Sequence, residues 1–176
     1  MIQLKKGLIE NCEADVIVNA SNGVGYMGGF LGKYIKFPGV AEALHFATKG
    51  SIEREAKQVL AQRKMNAGGV FITSAGGLKA NYIFHAVTMN KPGQTSSLQT
   101  VETCLKNIVN LARAFNCKKI SLPSLGIGTG RLNKQMVAKL YYDVLKNERT
   151  TYEVVDPQGD FNNHLDFYFK NRMNVR

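Results

Sequence analysis

The chain has 176 residues, of which 44% are hydrophobic and 20% charged, with 17 glycines. That composition fits one domain with its own core, expected over residues 1–176, and excludes a disordered or collagen-like chain. No apolar run approaches the ~20 residues of a membrane span. The 23 basic and 13 acidic residues leave a net charge of +10, which favours anionic partners, although the cations are scattered rather than clustered with aromatics as in a dedicated nucleic-acid module.

Cys12, Cys104 and Cys117 cannot all pair and form no C-x-x-C motif, so they read as free thiols of a reducing cytosol. The amino terminus has no apolar export core. His45, His85 and His164 lack the spacing of metal ligands, so no metal is expected.

In chain order, the β-branched run Ala14–Ala20 predicts a buried strand that feeds a polar, glycine-rich stretch. Residues 40–48 read helical. Ser51 is placed to cap a charged helix reaching about Lys64, with Glu53 and Glu55 in first turns where the dipole favours acid. Gly69–Thr73 and Tyr82–Val87 follow as strands joined by a turn at Gly76-Gly77. Ser96-x-x-Gln99 fits a capping box, after which Val101, Cys104, Leu105, Ile108, Leu111, Ala112 and Phe115 repeat at helical spacing. Lys119–Leu122 predicts a strand running into Pro123. Asn133 can cap a helix with the apolar face Met136, Val137, Leu140, Val144 and Leu145. Thr151–Val155 and Phe161–Phe169 complete the pattern as a strand and a helix. Such alternation implies an α/β fold with a largely parallel sheet covered on both faces, its ligands beyond the carboxyl ends of the strands.

Two loops at such ends hold much of the glycine. The first is Asn19-Ala20-Ser21-Asn22-Gly23-Val24-Gly25-Tyr26-Met27-Gly28-Gly29, the second Pro123-Ser124-Leu125-Gly126-Ile127-Gly128-Thr129-Gly130. Glycine lets backbone N–H groups approach an anion and form a nest for phosphate oxygens; the plainer alternative is two tight turns. Gly23-x-Gly25-x-x-Gly28 matches the dinucleotide fingerprint, yet that motif needs a second strand ending in an acid ~20 residues on, where residues 40–48 read helical. The Walker pattern fails because Gly28–Tyr34 is one residue short and puts Tyr34 at the metal-binding hydroxyl.

The run Ala14-Asp15-Val16-Ile17-Val18-Asn19-Ala20-Ser21-Asn22 resembles the strand signature of the macrodomain (Appr-1''-p processing) family. Met27-Gly28-Gly29, Ser51–Ala56, Tyr82–Met89 and Leu122–Gly130 are similar to four further segments of that family, in the same order. The resemblance implies a three-layer α/β/α fold with a mixed, mostly parallel central sheet, and an ADP-ribose site made from the two loops.

By position, Asn22 would bond the distal ribose, with amides around Met27, Gly28 and Gly29 on ribose and phosphate. Ser124 and the amides of Gly126, Ile127, Gly128, Thr129 and Gly130 would cradle the diphosphate. Asn19 would shape the first loop, and Phe161 would either stack on adenine or join the core. His85 reads as a structural histidine more readily than a catalytic one.

Two departures limit what the resemblance implies. Leu8 replaces the aspartate that accepts from the adenine amino group and cannot do so itself, which leaves backbone groups beside Ile9, or Asp15, as substitutes. Leu31 stands where hydrolytic members carry an acid, and between Asn22 and Val40 there is no Asp, Glu or His. Without that general base, the expectation is binding of ADP-ribose or a related nucleotide diphosphate with weak or no catalysis and no further cofactor. The alternatives are a hydrolase acting on ADP-ribosylated protein or nucleic acid, with Lys91 ahead of Lys33 and Lys36 as a catalytic lysine, and a module binding nucleic acid or poly-ADP-ribose.

Overall fold

The computed structural model describes residues 1–173. Its strands are β1 (Ile2–Lys6), β2 (Val16–Asn22), β3 (Val70–Ser74), β4 (Tyr82–Met89), β5 (Lys119–Pro123) and β6 (Thr151–Asp156). They form one sheet in the order β1-β6-β5-β2-β4-β3. β3 and β4 pair antiparallel across the Gly76-Gly77 turn, where both glycines have positive φ. All other pairings are parallel. The sheet is therefore mixed and mostly parallel.

Alternation along the central strands sorts the core into two layers. Val16 and Val18 of β2 face the side covered by α4 (Leu98–Ala114), α5 (Lys134–Leu145) and α6 (Asp160–Met173), where they pack with Phe84, Leu105, Ile120, Leu122 and Tyr141. Ile17 faces the other side, with Leu44 of α2 (Val40–Ala47) and Ile52 of α3 (Ser51–Gln62). A single helical turn, α1 (Gly29–Gly32), precedes α2. Helices thus cover both faces. None is long and apolar enough to cross a membrane among the described residues, and all three cysteines are buried free thiols.

Three helix details depart from the sequence expectation. Ser51 is not the cap of α3: that position belongs to Gly50, whose φ of 81° suits glycine, and the buried Ser51 hydroxyl has no partner among the described residues. Ser97 rather than Ser96 caps α4, accepting from the Thr100 amide, because Ser96 is spent elsewhere: its hydroxyl donates to Thr88 O and its amide to Gly130 O. In α5, Asn133 caps as expected, accepting from Met136 N at 3.1 Å. The buried stripe is Val137, Ala138, Tyr141 and Leu145, while Met136 is 55% exposed. The face is turned by one residue because Tyr141 uses its hydroxyl inside the protein.

Candidate functional site

β2 and β5 are parallel neighbours, so the two glycine-rich loops leave the sheet side by side at its carboxyl edge. The segment after β4 closes the same edge: Gly23 N donates to Met89 O, and Ser96 N to Gly130 O.

The second loop is held at its base. Tyr141, fully buried, donates to Pro123 O at 2.6 Å and accepts from Leu125 N at 2.8 Å. Burial pushes its phenol far above the ordinary value, so the hydroxyl stays protonated and serves both bonds. On the far side, Arg131 N and Leu132 N donate to Gly128 O and Gly126 O. Between these anchors the five amides from Gly126 to Gly130 donate to nothing among the described residues. Gly128 and Thr129 are exposed, Ser124 half-buried. A Cβ on Gly130 would lie 2.4 Å from Gly126 O, so glycine there lets the loop close on itself. Consecutive unbonded amides on a loop beyond a strand's carboxyl end make an anion-binding concavity.

The first loop is built differently. The Asn22 side chain organises its own turn: Oδ1 accepts from Val24 N and Tyr26 N, and Nδ2 donates to Tyr26 O. Both oxygen lone pairs are used, and one Nδ2 hydrogen is left. Met27 is fully buried. Its amide and that of Gly29 both donate to Oε2 of Glu53, at 2.8 and 3.0 Å. Neither amide faces outward. Only the intervening Gly28 amide makes no bond among the described residues. His45 from α2 completes the grip: Nε2 donates to Gly29 O at 2.8 Å, and Nδ1 lies 3.5 Å from Glu53 Oε2.

Burial raises the Glu53 pKa, but hydrogen bonds from Lys57 and from the Gly29 and Met27 amides outweigh it and hold the carboxyl below its ordinary value. The sequence reading assigned Glu53 to the helix dipole and missed this role. The signal was available: Glu53 lies on the stripe Ile52, Ala56, Leu60, which is the buried face of α3.

The remaining residues separate into those at this edge and those away from it. Asn19 and His85 are completely buried beneath it. Asn19 Nδ2 donates to His85 Nδ1 at 3.1 Å, and His85 Nε2 donates to Thr73 Oγ1 at 2.9 Å, while Thr73 donates to Ser74 O. The imidazole stacks on Phe71 with ring centroids 4.5 Å apart. Burial drives its pKa down to about 3, so it is a neutral packing group. Asp15 is not available to adenine: it sits at the opposite, amino edge, where Oδ2 accepts from Lys118 N and Lys119 N. Phe161 is a core residue, 2% exposed and edge-on to Tyr141.

Leu8 is exposed and Leu31 is 58% exposed. Lys91 is exposed on the turn after β4, its amide donating to Gln94 Oε1. Lys33 lies over the Phe30 ring, and Lys36 pairs with Glu10. No carboxylate or imidazole that is free of structural duty lies on the first loop.

A family model described as Macro domain matches residues 18–141. A macro domain-containing protein of Listeria monocytogenes is 33% identical over 86% of this chain and 83% of its own. A protein of Klebsiella pneumoniae named O-acetyl-ADP-ribose deacetylase is 33% identical over 76% of this chain and 73% of its own. Among solved structures, the Oceanobacillus iheyensis macrodomain with ADP superimposes with a TM-score of 0.79 at 21% identity, covering 98% of this chain and 92% of its own. The family model over residues 18–141 and these relatives carry one conclusion: the chain belongs to the macro domain family.

Proposed function

We propose that this macrodomain binds ADP-ribose, free or attached to a macromolecule, and is weakly catalytic or not catalytic. The observation that carries the reading is the run of unbonded amides from Gly126 to Gly130 beside the first loop. In this reading those amides and Ser124 hold the diphosphate, and the remaining Asn22 N–H with the Gly28 amide meets the distal ribose. The family relationship supports it, as do the deacetylase name of the Klebsiella relative and the ADP in the Oceanobacillus structure. Weak adenine selectivity goes with Leu8, which presents hydrocarbon where an acceptor would be needed. Weak catalysis goes with Leu31 and with the engagement of Glu53 by Met27, Gly29 and Lys57.

Calorimetry with ADP-ribose tests the proposal, and saturable binding is expected. Gly128→Glu should abolish it without loss of fold, because a Cβ at Gly128 meets nothing within 4 Å while the carboxylate opposes the diphosphate. No heat at millimolar ligand, or full affinity in G128E, overturns the reading. A salt titration separates nucleic-acid or polymer binding, whose affinity falls steeply through counterion release. If wild-type protein releases ADP-ribose from modified substrates, Lys91→Ala decides whether that exposed lysine carries the step.

A further inference from the structure

We infer that the side of the first loop held by Glu53 is a docking surface for single-stranded nucleic acid, distinct from the cleft. This adds a second partner to the ADP-ribose reading and does not depend on it. The sequence scatters its cations, but the fold gathers three of them with aromatic rings at this place. Half of the large apolar side chains that stay exposed among the described residues, seven of fourteen, fall within Val24–Phe37. Phe30 and Tyr34 are 70% and 69% exposed, Tyr26 43% and Phe37 37%. Phe30 and Tyr34 meet edge to face with centroids 5.6 Å apart, so they do not stack on each other.

Cations stand among these rings. Lys33 Nζ lies 5.5 Å from the Phe30 centroid and Lys57 Nζ 5.8 Å from that of Tyr26. Phe30, Lys33, Arg54 and Lys57 line one open cavity of about 320 Å³. Its one carboxylate, Glu53, is 5% exposed and already bonded to Lys57 and to two loop amides. The lysine ion pairs of this region are Lys57 with Glu53 and Lys36 with Glu10, which leaves Lys33 and Arg54 unpaired among the described residues.

Rings interleaved with unpaired cations fit an anionic polymer with exposed π-faces, because bases stack on the aromatics while phosphates meet the cations. A duplex keeps its bases stacked inside and offers the rings nothing. A second copy of this chain would set like charge against like. A bilayer would draw Lys33 toward hydrocarbon together with the ring it covers. The observations therefore favour a single strand, whose bases need carry no modification.

The probe is an unmodified, fluorescein-labelled oligo-uridine of about 20 nucleotides, read by anisotropy between about 50 and 200 mM salt. Wild type should bind it, and should bind a duplex of equal length at least about fivefold more weakly. Phe30→Ala removes an exposed ring and should weaken strand binding at least about fivefold. Phe167→Ala, at a 55% exposed ring on α6, should leave it unchanged. Arg54→Ala should lower the slope of log affinity against log salt by about 0.7. Saturating ADP-ribose should not displace the strand. No strand binding, wild-type binding by F30A, preference for the duplex, or displacement by ADP-ribose overturns the inference. So does F30A-sensitive binding to phosphatidylserine vesicles, or F30A-sensitive dimerisation, in place of strand binding. Absence of ADP-ribose binding overturns only the earlier reading, and the strand assay with its variants then decides this one alone.

Discussion

Replacing Tyr141 by Phe removes one hydroxyl and leaves two buried backbone groups without partners, Leu125 N–H and Pro123 C=O. Each group stranded away from water costs about 1–3 kcal/mol, and the apolar gain of the smaller ring offsets part of that, so the loss should be roughly 2–4 kcal/mol. In a domain of this size 1 kcal/mol shifts the melting midpoint by about 2–4 °C, which gives a fall of about 4–16 °C. Far-UV circular dichroism on heating reads that number directly. The same substitution frees the base of the second loop, so ADP-ribose affinity should fall about tenfold from lost preorganisation, with the fold intact at 20 °C. A Y141F melt within about 1 °C of wild type would refute the view that this hydroxyl staples the loop.

Acid sensitivity should trace to His85. Its folded pKa of about 3 lies below the ordinary 6.5, so between those values the unfolded chain binds the extra proton. Its neutral packing therefore contributes fully above pH 6.5 and is lost as pH falls toward 3, by at most about 1.4 kcal/mol per pH unit. Urea midpoints at pH 7.5, 6 and 5 should fall in wild type and much less in His85→Gln, and equal slopes would contradict the assignment. Two methionines should behave oppositely. Met27→Ala, at a fully buried position, should cost about 2–5 kcal/mol, whereas Met136→Lys at an exposed one should stay within about 0.5 kcal/mol in the same urea titration.

The strands were readable because their sequences are β-branched and apolar on both faces, as central parallel strands require. Val16–Val18 is an instance, while β5 puts Ser121 between Ile120 and Leu122 and satisfies its buried hydroxyl with Glu153 Oε1. Asn133 was readable as a cap because its side chain has no competing use. Ser51 and Ser96 misled because a hydroxyl before an apolar run is the same signal whether it caps the helix or not. Gly50 took the first position through its left-handed backbone, and Thr88 took the hydroxyl of the second. The motifs located both loops, but motif matching assigned them similar tasks. What distinguishes them is which amides are already bonded: Glu53, which lies on α3 and reaches the first loop only in the folded protein, takes those of Met27 and Gly29. Phe161 was open between two roles in sequence, and its contact with Tyr141 places it in the core.

On the proposed reading Asn22 and Ser124 share one ligand because β2 and β5 lie side by side, yet three helices of appreciable length and the β3–β4 hairpin separate them in the chain. During synthesis the hairpin is the one sheet pairing available locally among the described residues. The cleft has no existence until β5 has emerged and settled beside β2. Closing that long loop is paid for before any ligand contact is available. A nucleotide sugar in the surrounding solution is therefore no template for the growing chain. Bound as proposed, it would meet the protein only after the central strands have docked, and its effect would be to slow the reopening of a domain already complete.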